Sequence, residues 1–397
     1  ALPIAVEKRG IPAVVKTTTL LSNKTATDHS PYLAYRSFHM GLSELRFRQS
    51  LLRYRTYNTL KNDLQPLTIA GESFAAGTRR SSQITLARLY DYTELTMPFH
   101  VVRGKKPGPT MFVSAAVHGD EVTGTEIVKR LLRDRRLRQI SGTLITIPIV
   151  NAFGYNNRSR YLPDRRDLNR SFPGSANGSL GARIAHIFLN EFVAKCDFGI
   201  DLHSGSNHRS NLPQIRAVLD DAKTEELASA FGAPVILNAK LRPGSLRASA
   251  AEFDTPVLVF EGGEGLRYDE KVIRTGLRGI IRTMVHMGML EGKSKKTPTT
   301  TFRAKSSHWI RAPQSGGHRA LKNLGARVIS SARLGVISDA LGENRQYVSA
   351  KADGVIIGQN LLPLVNKGDA LFHVATFENL QELDDITDEL DEYLDGT

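Results

Sequence analysis

The sequence predicts an α/β protein: a doubly wound, largely parallel sheet flanked by helices, followed by a smaller all-β domain. Three observations predict it. Short apolar runs alternate with amphipathic stretches across residues 66–292. Several of those runs stop at a polar residue able to carry chemistry, namely His118, Asn151, His203 and Glu261. After the polar segment KSKKTPTTT at 293–301, the text changes to short β segments punctuated by glycine.

Residues 1–65 form a basic extension of open role, with a helical pattern at 42–60 (Leu42, Leu45, Leu51, Leu52, Tyr54, Leu60). From Pro66 the chain turns strand-like, with β-formers at 84–89 and 97–102 and a turn at 105–109. Residues 111–117, MFVSAAV, read as a buried central strand. The run breaks at His118-Gly119-Asp120-Glu121, and Gly119 lets the backbone turn there. Val122, Ile127, Val128, Leu131 and Leu132 then recur at helical spacing, which puts Glu121 where a helix begins. An apolar strand at 143–150 leads into a polar loop at 151–177, long enough to be functional. A helix at 180–194, strands at 198–202, 235–237 and 257–260, and an amphipathic helix at 268–290 follow. In the C-terminal part, Ala312-Pro-Gln-Ser-Gly316 and Ala350-Lys-Ala-Asp-Gly354 open two weakly similar units, which suggests a small barrel or sandwich with internal pseudo-symmetry. The expected division is 1–65 extension, 66–292 catalytic α/β domain, 302–377 β domain and 378–397 acidic tail.

Composition narrows the function classes. With 41% apolar and 23% charged residues among 397, the chain is of globular type. Its single cysteine, Cys196, excludes an internal disulfide and fits a reducing, cytoplasmic setting. No apolar run approaches the roughly 20 residues that span a bilayer, so no membrane partner is expected. The first residues lack the apolar core of a signal peptide, although a start after a removed segment stays open. The net charge is +13 and the isoelectric point about 9.8. Basic residues crowd the first sixty positions and 129–138, the end of the chain is acidic, and no nucleic-acid motif accompanies them. A solvated basic surface with weak, salt-sensitive adsorption is therefore expected, not specific nucleic-acid binding. A homo-oligomer is allowed and not required.

The residues that end the apolar runs can form one site. Imidazole and carboxylate both ligate divalent metals such as zinc, so His118 and Glu121 are candidate ligands. His203 would complete a His–Glu–His set with a fourth position for water, and Asp201 would orient a ring. Glu261, among glycines after an apolar run, is a candidate proton acceptor, with Glu264 competing. The loop offers Arg158, Arg160, Arg165, Arg166, Asn169 and Arg170 for a substrate carboxylate or a developing oxyanion.

Five elements in order, His118-Gly-Asp-Glu121, Arg160-Tyr161, Asp167-Leu-Asn169-Arg170, Asp201-Leu-His203 and Glu261-x-Gly263, carry a resemblance. Across roughly residues 98–290 the chain resembles the succinylglutamate desuccinylase/aspartoacylase group of the zinc carboxypeptidase-like (M14) family. The resemblance implies a carboxypeptidase-like mixed sheet and one zinc ion on His118, Glu121 and His203. It implies Glu261 as general base and acid, Arg160 as the group that polarises the carbonyl, and Asn169 with Arg170 as binders of a small substrate's carboxylate. The interval from Arg160 to Asp167 looks longer than in aspartoacylase itself, which keeps Arg158 and Arg166 open for the polarising role. The C-terminal part is similar to barrel-sandwich β domains, but no Met-Lys pair sits at a hairpin turn, so Lys351 is not expected to carry lipoate or biotin. The expected activity is hydrolysis of an amide in a small N-acyl amino acid. A peptide-cleaving metallocarboxypeptidase and a non-catalytic binding protein with a degenerate site are the alternatives.

Overall fold

A strand with apolar residues at both parities needs partners on both faces, and the structure supplies them around Met111. The computed structural model describes residues 66–206, 208–292 and 301–377. Its main sheet contains β1 (Arg79–Arg88), β2 (Glu94–Arg103), β3 (Lys106–Ala115), β4 (Ser141–Ile147), β5 (Phe198–His203) and β6 (Arg209–Ala217). It continues with β7 (Val235–Asn238), β8 (Val257–Glu264), β9 (Phe302–Ala304), β10 (Ser306–Arg311), β11 (Gly354–Asn360) and β12 (Ala370–Thr376). Across the sheet the order is β10-β12-β11-β6-β8-β5-β3-β4-β2-β1, with β7 and β9 joined on beside β6.

The centre is parallel: β3 pairs with β4 and β5, and β5 with β8. The outer pairs β1–β2, β2–β4, β6–β8 and β6–β11 are antiparallel, so the sheet is mixed, as the resemblance implies, and less parallel than the strand–helix alternation alone suggests. Helices α1 (Thr123–Leu132), α3 (Ala222–Phe231) and α5 (Glu270–His286) cover one face, and α2 (Leu180–Glu191) and α4 (Leu246–Ala251) the other. Side chains alternate accordingly. Met111, Val113 and Ala115 pack with Ile127, Leu131 and Ile280, whereas Phe112 packs with Phe188. Gly199 on β5 makes room for that second layer, because a Cβ there would lie 2.0 Å from the Phe112 ring.

Several elements differ from expectation. Strand β3 begins at Lys106, inside the expected turn, and accommodates its glycine and prolines by a register shift against β4 between Lys106 and Thr110. The basic helix stops at Leu132, and a 3-10 turn at Arg135–Gln139, capped by Asp134, takes up the remainder. Strand β6 and helices α3 and α4 have no counterpart in the expected pattern. The long loop contains a helical turn at Ala152–Asn156 and a 3-10 turn at Leu168–Arg170.

The C-terminal strands are all β. A four-stranded antiparallel sheet of Gly316–Ala320, Arg333–Ser338, Gln346–Ser349 and Leu364–Val365 packs around Leu334, Ile337, Val348, Leu371 and Phe372. Strands β10, β12 and β11 extend the main sheet through β6. The expected helix at 42–60, the extension at 1–65, most of the polar boundary (293–300) and the acidic tail (378–397) lie outside the described residues. Among the described residues no helix is long and apolar enough to cross a membrane. Cys196 is buried with a free thiol.

Candidate metal centre and active site

Adjacent parallel strands deliver their carboxyl ends to one place, where open α/β sheets bind ligands. Here β3, β5 and β8 lie side by side. His118 follows β3 by three residues, His203 is the last residue of β5, and Glu261 sits on β8 in register with His203. Glu121 lies just before α1, which begins at Thr123, rather than in its first turn. Gly119 is required by proximity, not by a left-handed turn. A Cβ at that position would come 1.9 Å from the Gly154 carbonyl carbon, so only glycine lets the two backbones touch.

His118, Glu121 and His203 are all buried, and one ligand atom from each lies within 4.8 Å of the others. Both imidazoles turn Nδ1 to the same carboxylate: His118 Nδ1 is 2.8 Å from Glu121 Oε1, and His203 Nδ1 is 2.7 Å from Oε2. Their outer nitrogens are held by carboxylates as well. His203 Nε2 lies 2.7 Å from Asp201 Oδ2, and His118 Nε2 lies 3.1 Å from Asp167 Oδ1. Asp201 is itself fixed by the Ser114 hydroxyl at 2.7 Å. A carboxylate that accepts Nε2–H leaves the Nδ1 lone pair directed inward, the arrangement that orients histidines on metals. Residues 201 and 203 share a strand face, which is why Asp201 can do this two positions away.

Charge within the cluster follows. Burial opposes ionisation of Glu121, but His118 and His203 outweigh it and hold its carboxyl well below the usual range. Burial also disfavours the His203 cation, yet Asp201 and Glu121 lift its pKa well above the ordinary value. His118 is raised in the same way by Glu121 and Asp167. Despite its partial burial, Asp167 is held low by His118 and Arg160.

Of the candidate arginines, Arg160 reaches this centre, donating to Glu121 Oε1 and Asp167 Oδ2 at 3.0 Å each. Arg166 instead donates to Ser179 and lies near Asp164, and Arg158 is exposed with its backbone in the left-handed region. Asn169 is partly buried, and its side-chain oxygen accepts the Leu246 amide at 2.9 Å, tying the loop to α4. Arg170 is exposed and donates to the Asn169 carbonyl. Glu261 lies within a strand rather than just past the end of one, because β8 continues to Glu264 with an irregularity between Glu261 and Gly263. Its Oε2 accepts from Asn211 Nδ2 at 2.9 Å, and Oε1 is 3.7 Å from Arg216 Nε. Neither Asn211 nor Arg216 stands out in the sequence, because both lie on β6, whose residues read as loop.

A mixed α/β sheet with a buried His–Glu–His set at its carboxyl edge defines an α/β protein with a candidate mononuclear metal site. The chain belongs to the succinylglutamate desuccinylase/aspartoacylase family of deacylases. The model of the family's catalytic domain matches residues 107–287. A relative from Halomonas elongata, N-α-acetyl-L-2,4-diaminobutyric acid deacetylase, is 30% identical over 293 residues, spanning 70% of this chain and 85% of its own. Among solved structures, the ectoine utilization protein EutE (DoeB) of Ruegeria pomeroyi superposes with a TM-score of 0.71 at 23% identity, covering 80% of this chain and 100% of that one. A succinylglutamate desuccinylase/aspartoacylase of Rhodobacter sphaeroides gives 0.68 at 23% identity, covering 76% and 96%. The two structural likenesses bear on the fold.

Proposed function

We propose that the protein is a zinc-dependent hydrolase that cleaves the amide bond of a small N-acyl amino acid. The observation that carries this reading is the convergence of His118 Nδ1, His203 Nδ1 and the Glu121 carboxylate, each imidazole being oriented from behind by an aspartate. Two nitrogens and one carboxylate are a donor set that suits zinc and leaves a coordination position open. A zinc ion held there would acidify a water molecule and polarise the scissile carbonyl. The other residues divide the remaining work. Glu261 takes the proton of the attacking water and passes it to the departing amine. Arg160, held by Asp167, donates to the carbonyl oxygen as negative charge develops on it. Arg170 and the Nδ2 group of Asn169 bind the substrate carboxylate. Residues 66–292 form the catalytic unit and 302–377 the β unit beside it, in a protein of the cytoplasm.

The activity for which the Halomonas elongata relative is named, removal of an acetyl group from N-α-acetyl-L-2,4-diaminobutyric acid, supports an N-acyl amino acid as substrate. The test is a screen of zinc-loaded protein on that compound, on N-acetyl-aspartate, on N-succinyl-glutamate and on dipeptides. Turnover should favour the N-acyl amino acids, and Glu261→Gln should lower kcat by roughly 10²–10⁴. Faster turnover of dipeptides would make the protein a carboxypeptidase. Near-parental turnover in Glu261→Gln would remove that residue from its assigned role.

A further inference from the structure

A glutamate that shuttles a proton must hold one oxygen toward the reacting atoms, although three side-chain torsions leave it free to wander. Glu261 is followed on β8 by Gly262 and Gly263, which offer no side chain to confine it. The confinement comes from β6. Between Glu261 and Gly263 the pairing slips, so that Glu261 faces Gln214 while Gly263 faces Asn211. Two residues of β8 thus span three of β6, and Pro213, which cannot donate to a ladder, lies in the extra length. The slip brings Asn211 onto the face that carries Glu261, and its Nδ2 donates to Glu261 Oε2 at 2.9 Å.

The other end of Asn211 is also fixed. Its partner on β11 is Gly358. A Cβ on Gly358 would come 2.9 Å from Asn211 Oδ1 and 3.0 Å from His373 Cβ, closer than atoms in contact pack. Asn211 is buried, with 6% of its surface exposed, so few other orientations are open to it. A carboxylate only accepts, so the amide must present Nδ2 to Glu261 and Oδ1 to Gly358.

We propose that Asn211, braced by Gly358 of the C-terminal strand β11, is the positioning residue that fixes Glu261, with Oε2 hydrogen-bonded to it and Oε1, 3.7 Å from Arg216 Nε, the oxygen that carries the proton. The proposal rests on the hydrolase reading for its kinetic consequence, but its geometric part can be tested without it.

Three measurements test it. A crystal structure of Asn211→Ala should show the Glu261 carboxylate turned away from its place in the parent protein; an unmoved carboxylate overturns the proposal. On the N-acyl amino acid turned over fastest in the screen, Asn211→Ala should lower kcat roughly 10–100-fold with KM little changed. Added to Glu261→Gln it should cost almost nothing more, because the anchored group's function is already gone. A merely structural asparagine would lower activity by the same factor in both backgrounds, and that result overturns the proposal. Gly358→Ala, which pushes on Asn211 without removing it, should reproduce the kcat loss and lose its effect when combined with Asn211→Ala. If Glu261→Gln is inactive while Asn211→Ala and Gly358→Ala turn over like the parent, this inference alone fails. If Glu261→Gln itself is unimpaired, the hydrolase reading fails instead.

Discussion

Asp201 is assigned no contact with substrate, yet it decides which His203 nitrogen faces the centre. Its Oδ2 engages Nε2, and Ser114 holds its other oxygen. Asp201→Asn can present an amide donor to Nε2 and favour the tautomer whose Nδ1 carries the proton. Zinc affinity should then fall 10–100-fold with the fold intact, measured by competition with a chelator of known affinity. Unchanged affinity would show that Asp201 only fills the strand end. Protonation adds a second expectation. Burial disfavours charged imidazoles, but the neighbouring carboxylates dominate and raise the pKa of both His118 and His203. On the proposed zinc reading, the proton then competes with the metal. Affinity should climb as pH rises, levelling off above the raised imidazole values, and protons should be released as the metal binds. Calorimetry at pH 7 in buffers of different ionisation enthalpy counts them; binding without proton release would mean that the metal-free imidazoles are already neutral. The clustering of His118, Glu121 and His203 was legible because each stands beside the end of an apolar run in a short motif. Asn211 was not, because its relation to Glu261 spans 50 residues and arises from a slip in strand pairing.

Strands position these groups, and the sequence conveyed some strands better than others. β3, β4, β5 and the first half of β8 are apolar runs bounded by polar text, so they could be read directly. β6, with the sequence RSNLPQIRA, has a proline and polar residues within it and reads as loop, yet most of it is buried between β8, β7 and β11. Tertiary pairing overrode local preference there. Helix α4 has only six residues, too few for a helical period to show. A different constraint acts at Gly199, where β5 passes the Phe112 ring. Gly199→Ala places a methyl group 2.0 Å from a ring carbon, and neither a buried strand nor a buried ring has room to retreat. The substitution should destabilise the protein by about 1–3 kcal/mol through overpacking. A lowered urea midpoint at unchanged slope would show it, and a shift within about 0.5 kcal/mol would mean that the layer yields easily.

At the scale of the whole molecule, the α/β architecture with the mixed sheet that the resemblance implies and a C-terminal β region is what the structure shows, while the strand–helix alternation alone overstates the parallel share. Alternating strands and helices point to parallel crossovers, which hold for β3, β4, β5 and β8. Hairpin and return strands carry no comparable signature of direction, so the antiparallel flanks emerged only from the pairing. The C-terminal strands were expected as a separate barrel or sandwich. They do build their own four-stranded sheet, but β11 also pairs with β6 beside the site, and Gly358 braces Asn211 from there. That junction is the route by which the C-terminal region bears on the chemistry.

The proposed chemistry depends on a divalent ion being held by two imidazoles and a carboxylate at the end of three neighbouring strands. The most direct measurement is an anomalous difference map, recorded at the zinc absorption edge from crystals of the zinc-loaded protein. It should show one strong peak bonded to Nδ1 of His118, Nδ1 of His203 and the carboxylate of Glu121. No peak at that position, or a peak held by other residues, would contradict the proposed zinc site and the hydrolysis built on it.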